Sequence, residues 1–337
     1  MRILSLFLIT SVFIFSCNNN TEKPNVSKIN IELSTQRFEN DFFSLDTNNL
    51  YNSVEQLQAK YPGFGENYFT RILNADPRWS ADTMQLYVGS FITAYRKLYM
   101  DSKTIFTDFS PFEKEIKTGL KFVKYYFPKY PIPNKIITYI GPVDGYGDAL
   151  ADDAILVGLH HHLGKDYPIY KTEMVQQFYP EYISNRFEPD YIVVNCMKNI
   201  VNDLYPEKED DRVLIYQMIE KGKRYYLLSK LLPDVAEYKL MGYSKEQMDA
   251  CYKNEARIWD LFTKNGYLQM ADKNTIRNYV EESPKTQELG SDAPGNIGSF
   301  TGWQIVKKYM SKNEKISPSE LMLIDNEKIV QETKYKP

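Results

Sequence analysis

Three histidines stand side by side at His160, His161 and His162, inside the stretch GLHHHLG, and they are every histidine in the 337-residue chain. If the stretch continues the run AILVGL before it, His160 and His162 project from one face of a strand and His161 from the other. An H-x-H pair on a strand can chelate a metal ion at about 2 Å, but it needs a third and preferably a fourth ligand. Asp152, Asp153 and Asp166 carry the right charge, yet their spacing does not aim them at one point. A strand-end polar cluster, with one imidazole packed and two solvated, accounts for the same residues. The expectation is therefore no metal and no cofactor, with a zinc hydrolase using His160 and His162 as the alternative.

Other chemistry is as sparsely signalled. The chain holds no G-x-S-x-G, Walker loop, C-x-x-C or H-E-x-x-H, the short motifs with a catalytic or binding mechanism behind them. A Ser-His-Asp triad would have to borrow one of the clustered histidines without any nucleophile context. Cys196 and Cys251 each sit in an apolar-periodic segment and read as buried thiols, with a bridge between them as the alternative. Tyr146, Tyr167 and Tyr170 flank the acidic loop GPVDGYGDALADD and could stack on sugars, which makes a glycan-binding envelope protein a further alternative; packing is the commoner role for such rings. No residue is assigned a catalytic role.

The elements that must hold these residues are mostly helical. The spacing of Met84, Tyr87, Phe91, Tyr95 and Leu98 predicts a helix through ADTMQLYVGSFITAYRKLYM, and NLYNSVEQLQAKYP, GENYFTRIL and FEKEIKTGLKFVKYYFP read the same way. Ile31 and Leu33 begin a short strand that passes into a helix through Phe38, Phe42 and Phe43. NKIITYIG and AILVGL are strands, bounded by Gly, Pro and Asp. Helical periodicity returns in EPDYIVVNCMKNIVNDLYP and RVLIYQMIEKGKRYYLLSKLLP. In SKEQMDACYKNEARIWDLFTKN, Ser244 is placed as an N-cap, with Met248, Cys251, Tyr252, Ile258, Trp259 and Phe262 inward. FTGWQIVKKYM and SELMLIDNEKIVQET complete the chain. The fold class is mainly α with a small β-sheet (α+β), in a single globular domain over 30–337. A net charge of −3 gives no pull toward nucleic acid.

The start, MRILSLFLITSVFIFSCNNN, has a cationic residue and then an apolar run too short to cross a bilayer but suited to a secretory signal over 1–16. Phe15, Ser16 and Cys17 resemble the lipobox of bacterial lipoproteins, in the aromatic-tolerant form of Bacteroidetes. That resemblance implies cleavage before Cys17 and acylation of its thiol and new amino group. Several acyl chains, at ~0.8 kcal/mol per buried CH₂, make a lasting anchor. Residues 17–29 read as the lipidated flexible tether.

QRFENDFF, YPGFGENYF, ILVGLHHHLGKDYPIY, YIVVNCMKNIVNDLYPEK and GSFTGWQIVKKYM, in this order behind a lipobox, resemble the gliding-motility lipoprotein GldB family of Bacteroidetes over nearly the whole mature chain. The resemblance implies an envelope lipoprotein required for gliding and linked to type IX secretion, without established enzymatic activity. It implies an acidic residue where this chain has His160, which makes the triple histidine a local variation. It also implies a distant relation to predicted zinc proteases built on H-E-x-x-H. Lys198, Asn199 and Asn202 occupy comparable ground with the same polar spacing, and Glu220 sits where a more distant Glu ligand would fall. A lysine and two asparagines are poor zinc ligands, so the stretch is a degenerate, metal-free protease-like fold or simply an amphipathic helix.

The expectation is thus a non-enzymatic protein anchored through acyl chains on Cys17, facing the periplasm because CNNNTEK lacks a dense acidic export tag. Its partners would be the membrane and envelope proteins of the gliding or secretion machinery, with no nucleic acid.

Overall fold

Short runs rich in β-branched residues and apolar on both faces pair into a sheet that other elements must cover. The structure, a computed structural model, describes residues 23–207, 211–290 and 293–337. Four strands among these residues, Ser34–Arg37 (β1), Lys135–Tyr139 (β2), Ala149–Leu150 (β3) and Ala154–Gly158 (β4), form one sheet in the order β1-β2-β4-β3. β1, β2 and β4 run parallel, with Ile136 opposite Ile155 and Thr138 opposite Val157, and β3 returns antiparallel on β4. The first strand begins at Ser34, after the expected Ile31 and Leu33. Those two side chains are buried, so their alternation marks packing of the lead-in segment and not ladder pairing.

The N-terminal half holds three long helices, Leu50–Lys60 (α1), Ala81–Ile105 (α2) and Ser110–Tyr126 (α3). The C-terminal half is built from Ile192–Leu204 (α4), Leu214–Leu231 (α5), Lys245–Lys253 (α6), Glu255–Lys264 (α7), Lys273–Val280 (α8), Ile297–Lys312 (α9) and Asn326–Thr333 (α10). Ser244 caps α6 as expected, its hydroxyl accepting from Gln247 N–H in a reciprocal capping box. The single helix expected after it breaks at Asn254 into α6 and α7. Met248, Cys251, Ile258 and Phe262 are buried, whereas Tyr252 is exposed and Trp259 only half-buried, because each stands one residue, about 100° of rotation, past the buried Cys251 or Ile258 of its own helix. Cys196 and Cys251 are free, buried thiols.

α9 is buried around nearly its whole circumference from Ile297 to Val306, as a helix at the centre of a layered core must be. It lies backbone to backbone against α5. A Cβ at Gly222 would fall 2.3 Å from the Gly302 carbonyl carbon, and a Cβ at Gly302 would fall 1.7 Å from Met218 O. Only glycine permits this approach, and it brings Tyr225 of α5 into a stack with Trp303 of α9 at 5.7 Å.

The chain already packs on the body at its first described residues. Lys23 pairs with Asp234 and lies over the Phe122 ring, and Val26 is buried. Cys17 and the apolar run before it lie outside the described residues. Among the described residues no helix is long and apolar enough to cross a membrane.

Candidate functional site

β4 does not carry the histidines onward as a strand. After Gly158 the backbone turns into a single 3-10 turn, Leu159–His161, so the one-face, other-face arrangement of an H-x-H pair does not form. None of the three rings is solvated: His160, His161 and His162 are all buried, the most exposed at 5%. Buried imidazoles need hydrogen-bond partners, and the loop between β2 and β3 supplies them. Gly141 N–H donates to His160 Nδ1 at 3.0 Å, so the ring proton sits on Nε2 and faces Tyr146 O at 3.0 Å. His161 Nε2 faces Val143 O at 3.0 Å. His162 has an acceptor on each side, Glu188 O at 3.0 Å and Asp148 Oδ2 at 2.8 Å, which requires protons on both nitrogens and therefore an imidazolium.

Electrostatics follow that geometry. Burial lowers the His160 pKa well below the ordinary imidazole value, with the neighbouring His161 adding to it, and burial takes His161 down to about 4. Burial also acts against charge on His162, but the Asp148 carboxylate outweighs it and the pKa is raised. Asp148 is itself buried; it also accepts from Gly158 N–H at 3.1 Å and from Asn195 Nδ2 of α4 at 2.9 Å. Both nitrogens of His160 and of His162 are thus committed to protein partners. The cluster braces the loop. A Cβ at Gly147 would lie 2.6 Å from His161 Nδ1, and one at Gly158 would lie 2.7 Å from His160 Cε1.

The carboxylates considered as further ligands are elsewhere. Asp153 is exposed and pairs with Lys135 at 2.6 Å, and Asp152 and Asp166 are exposed. Among the described residues no three His, Cys, Asp or Glu side chains are placed to hold a metal ion together. The three tyrosines do not form a platform either. Tyr170 is fully buried, donating to His160 O at 2.6 Å, and Tyr167 donates to Asp101 at 2.7 Å. Tyr146 alone of the three is broadly exposed.

A second polar centre lies across α4. A cleft of about 330 Å³ opens between α4, α5, the residues after α8 and Asn296, which immediately precedes α9. Lys198 and Asn202 of α4 line it, as their helical spacing of four requires, together with Lys221, Arg224 and Tyr225 of α5. Glu220 does not: it faces the neighbouring cleft, 3.5 Å from Asn326 Nδ2. One residue is 100° of helix rotation, so Lys221, and not Glu220, is the α5 residue that meets Lys198 and Asn202. Asn199 is likewise not among the lining residues.

The acids of this cleft already have cations. Arg186 donates to both oxygens of Glu282, one at 2.6 Å, and although burial alone would raise the Glu282 pKa, that pairing lowers it. Lys221 Nζ donates to the two oxygens of Glu207 at 2.8 and 2.9 Å, and Arg277 Nε to Glu281 at 2.9 Å. Arg224 Nη1 donates to Asn202 Oδ1 at 3.3 Å. Lys198 makes no hydrogen bond or ion pair with the described residues, and burial, with Arg186 nearby, lowers its pKa to about 8. None of Asp148, Arg186, Lys221, Arg224, Glu282 or Asn296 was singled out from sequence. They come from five separate segments and share no motif; the one available signal was a lysine beside the apolar face of the helix Ile192–Leu204.

No curated protein and no solved structure matches the chain. The sequence profile described as gliding motility protein GldB matches residues 19–337, and over that span the chain belongs to the GldB family of gliding-motility lipoproteins.

Proposed function

We propose that this protein supports gliding motility and type IX secretion as a periplasm-facing lipoprotein held at the membrane by acyl chains on Cys17, acting through protein contacts and not through turnover. The observation that carries this reading is the chemistry of the cleft between α4 and α5. Where a zinc-binding helix would present histidines, this one presents Lys198 and Asn202, and α5 adds Lys221 and Arg224. Three glutamates, Glu207, Glu281 and Glu282, line the same cleft and are each paired with a cation, so Lys198 is the cation there without a paired acid among the described residues, and it offers a contact to an anionic group. The histidines support the same reading, since their nitrogens are spent on bracing a loop.

Geometry at the amino end fits anchoring. Lys23 is six residues beyond Cys17, a reach of at most about 20 Å of extended chain, and it docks beside Phe122 and Asp234. The body would sit close to the lipid surface with that pole toward it. The test is complementation in cells lacking the protein: wild type incorporates labelled acyl chains and restores colony spreading, and Cys17→Ala does neither. Full spreading with an unlabelled Cys17→Ala chain would refute the anchor, and peptide hydrolysis by the pure protein that stops with chelator would refute the non-enzymatic reading.

A further inference from the structure

We propose that the cleft around Lys198 is a binding site for a carboxylate carried on an extended peptide, with Lys198 as the anchoring cation and Arg224, Tyr225 and Asn296 receiving the peptide's polar groups. Four features of the cleft are incomplete without a ligand. Lys198 Nζ has no partner among the described residues, while Glu282, Glu207 and Glu281 are each engaged by another cation. Arg224 Nε is buried with no hydrogen-bond acceptor, the carboxylate paired with it, Glu207, standing off at 3.8 Å, on a residue only 8% exposed. Asn296 is 5% exposed and its Oδ1 is buried without a donor, although its Nδ2 donates to the Tyr225 hydroxyl at 3.2 Å. That hydroxyl in turn has no acceptor for its own proton among the described residues. Buried polar groups are ordinarily satisfied, so a buried donor and a buried acceptor, with a hydroxyl and the half-buried, unpaired Lys198 around the same cavity, describe the complement of a ligand bearing an anion, carbonyls and an N–H.

The shape of the surface selects a peptide over a small free anion. Glu282 and Asn296 line both this cleft and a wider one of about 1100 Å³, and Glu207, Lys221, Arg224 and Glu281 line both this cleft and another of about 870 Å³. The three clefts share these lining residues, so the one that holds Lys198 adjoins both wider ones. A segment of chain can therefore run through it in both directions, and the carboxylate at the centre then comes from an internal Asp or Glu. Backbone carbonyls and N–H groups on either side would meet Arg224 and Asn296. Asn296 stands in the left-handed region with φ 58°, a conformation non-glycine residues seldom adopt, and its side chain is thereby turned toward the cleft at the start of α9.

The inference rests on the contact reading only for its use in the cell; the site itself is read with purified protein. The full chain in detergent is titrated calorimetrically with acetyl-Ala-Ala-Glu-Ala-Ala-amide, with the same peptide carrying Gln for Glu, and with acetylated pentaalanine bearing a free carboxyl terminus. The Glu peptide binds at least tenfold more tightly than the Gln peptide. Lys198→Met removes that difference with the circular dichroism unchanged, Lys198→Arg keeps most of it, and Lys97→Ala, exposed on α2 and lining none of the three clefts, leaves it intact. Equal binding of the Glu and Gln peptides, no binding of either at millimolar concentration, or a Lys198→Met variant with wild-type preference overturns the site. Tighter binding of the free-carboxyl peptide than of the Glu peptide overturns the through-running arrangement in favour of a captured chain terminus. None of these outcomes touches the anchor, which is read from acylation and spreading.

Discussion

Lys198 illustrates what a single side chain contributes when its partner is missing. Its pKa is lowered to about 8 by burial and by Arg186, against about 10.4 in an unfolded chain. The folded state therefore releases a proton that the unfolded state keeps, and stability rises as pH climbs from 8 toward 10.4. Below pH 8 the buried charge costs on the order of 1 to 3 kcal/mol. Replacing it by Met should accordingly raise the melting temperature at pH 7, with the gain shrinking by pH 10, in thermal scans across that range. A Met variant that is less stable at pH 7 would mean that Lys198 has a partner and that the cleft is already satisfied.

The histidines make the opposite and the same kind of statement within three residues. His160 and His161 have lowered pKa values, so the stability they contribute is present above 6.5 and is lost as pH falls; for His161 the loss runs down to about pH 4. His162 is raised, so its contribution is full below 6.5 and fades as pH rises through its folded value. His161 also stacks on Phe187 at 4.3 Å. The variant His161→Phe keeps a ring there, loses the bond to Val143 O at about 1 kcal/mol, and should flatten the acid limb between pH 6.5 and 4 by up to about 3 kcal/mol. Removing one partner of the buried pair, as in Asp148→Asn, should cost about 3 to 5 kcal/mol. The double variant Asp148→Asn with His162→Gln should lose less than the two single losses added, in a denaturant double-mutant cycle.

At the scale of elements, the decisive contact is the one between α5 and α9. It sets how far Lys221, Arg224 and Tyr225 stand from α4, since α5 cannot move outward without leaving the Trp303 stack. The substitution Gly302→Ala puts a methyl group where Met218 O stands, 1.7 Å away, and a backbone oxygen cannot rotate aside as a side chain does. About 3 kcal/mol or more of stability should be lost, with the helices themselves retained in far-ultraviolet circular dichroism. Gly222→Ala meets backbone across the same contact at 2.3 Å and should behave alike. A Gly302→Ala protein with wild-type stability would show that the two helices are not in backbone contact.

For the whole molecule, the family is one of lipoproteins, and the anchor proposed above would hold the body at a lipid surface by the pole that carries Lys23. Mutating Cys17 should uncouple location from folding: the Cys17→Ala chain should have a stability within about 0.5 kcal/mol of wild type, the usual range for changes away from packed features, while fractionating away from membranes. Loss of folding on that change would place Cys17 inside the packed body.

The sequence by itself determined the fold class, the family, the helices with a clear 3.6-residue period and the Ser244 cap, because periodicity and capping depend on neighbours a few positions apart. It determined that Cys196 and Cys251 are buried for the same reason. It did not determine the fate of the histidines. A row of imidazoles has one meaning as the end of a strand and another inside a turn, and the choice depended on Gly141, Val143, Tyr146 and Asp148, which only the return of the chain from β2 to β4 brings alongside. Nor could it separate Glu220 from Lys221, where one residue of helix rotation decides which side chain enters the cleft. That rotation is fixed by Gly222 and Gly302, some eighty residues apart along the chain. Tertiary structure alone brought Arg186, Lys198, Arg224, Glu282 and Asn296 to one place, and left Lys198 without a hydrogen bond or ion pair among the described residues.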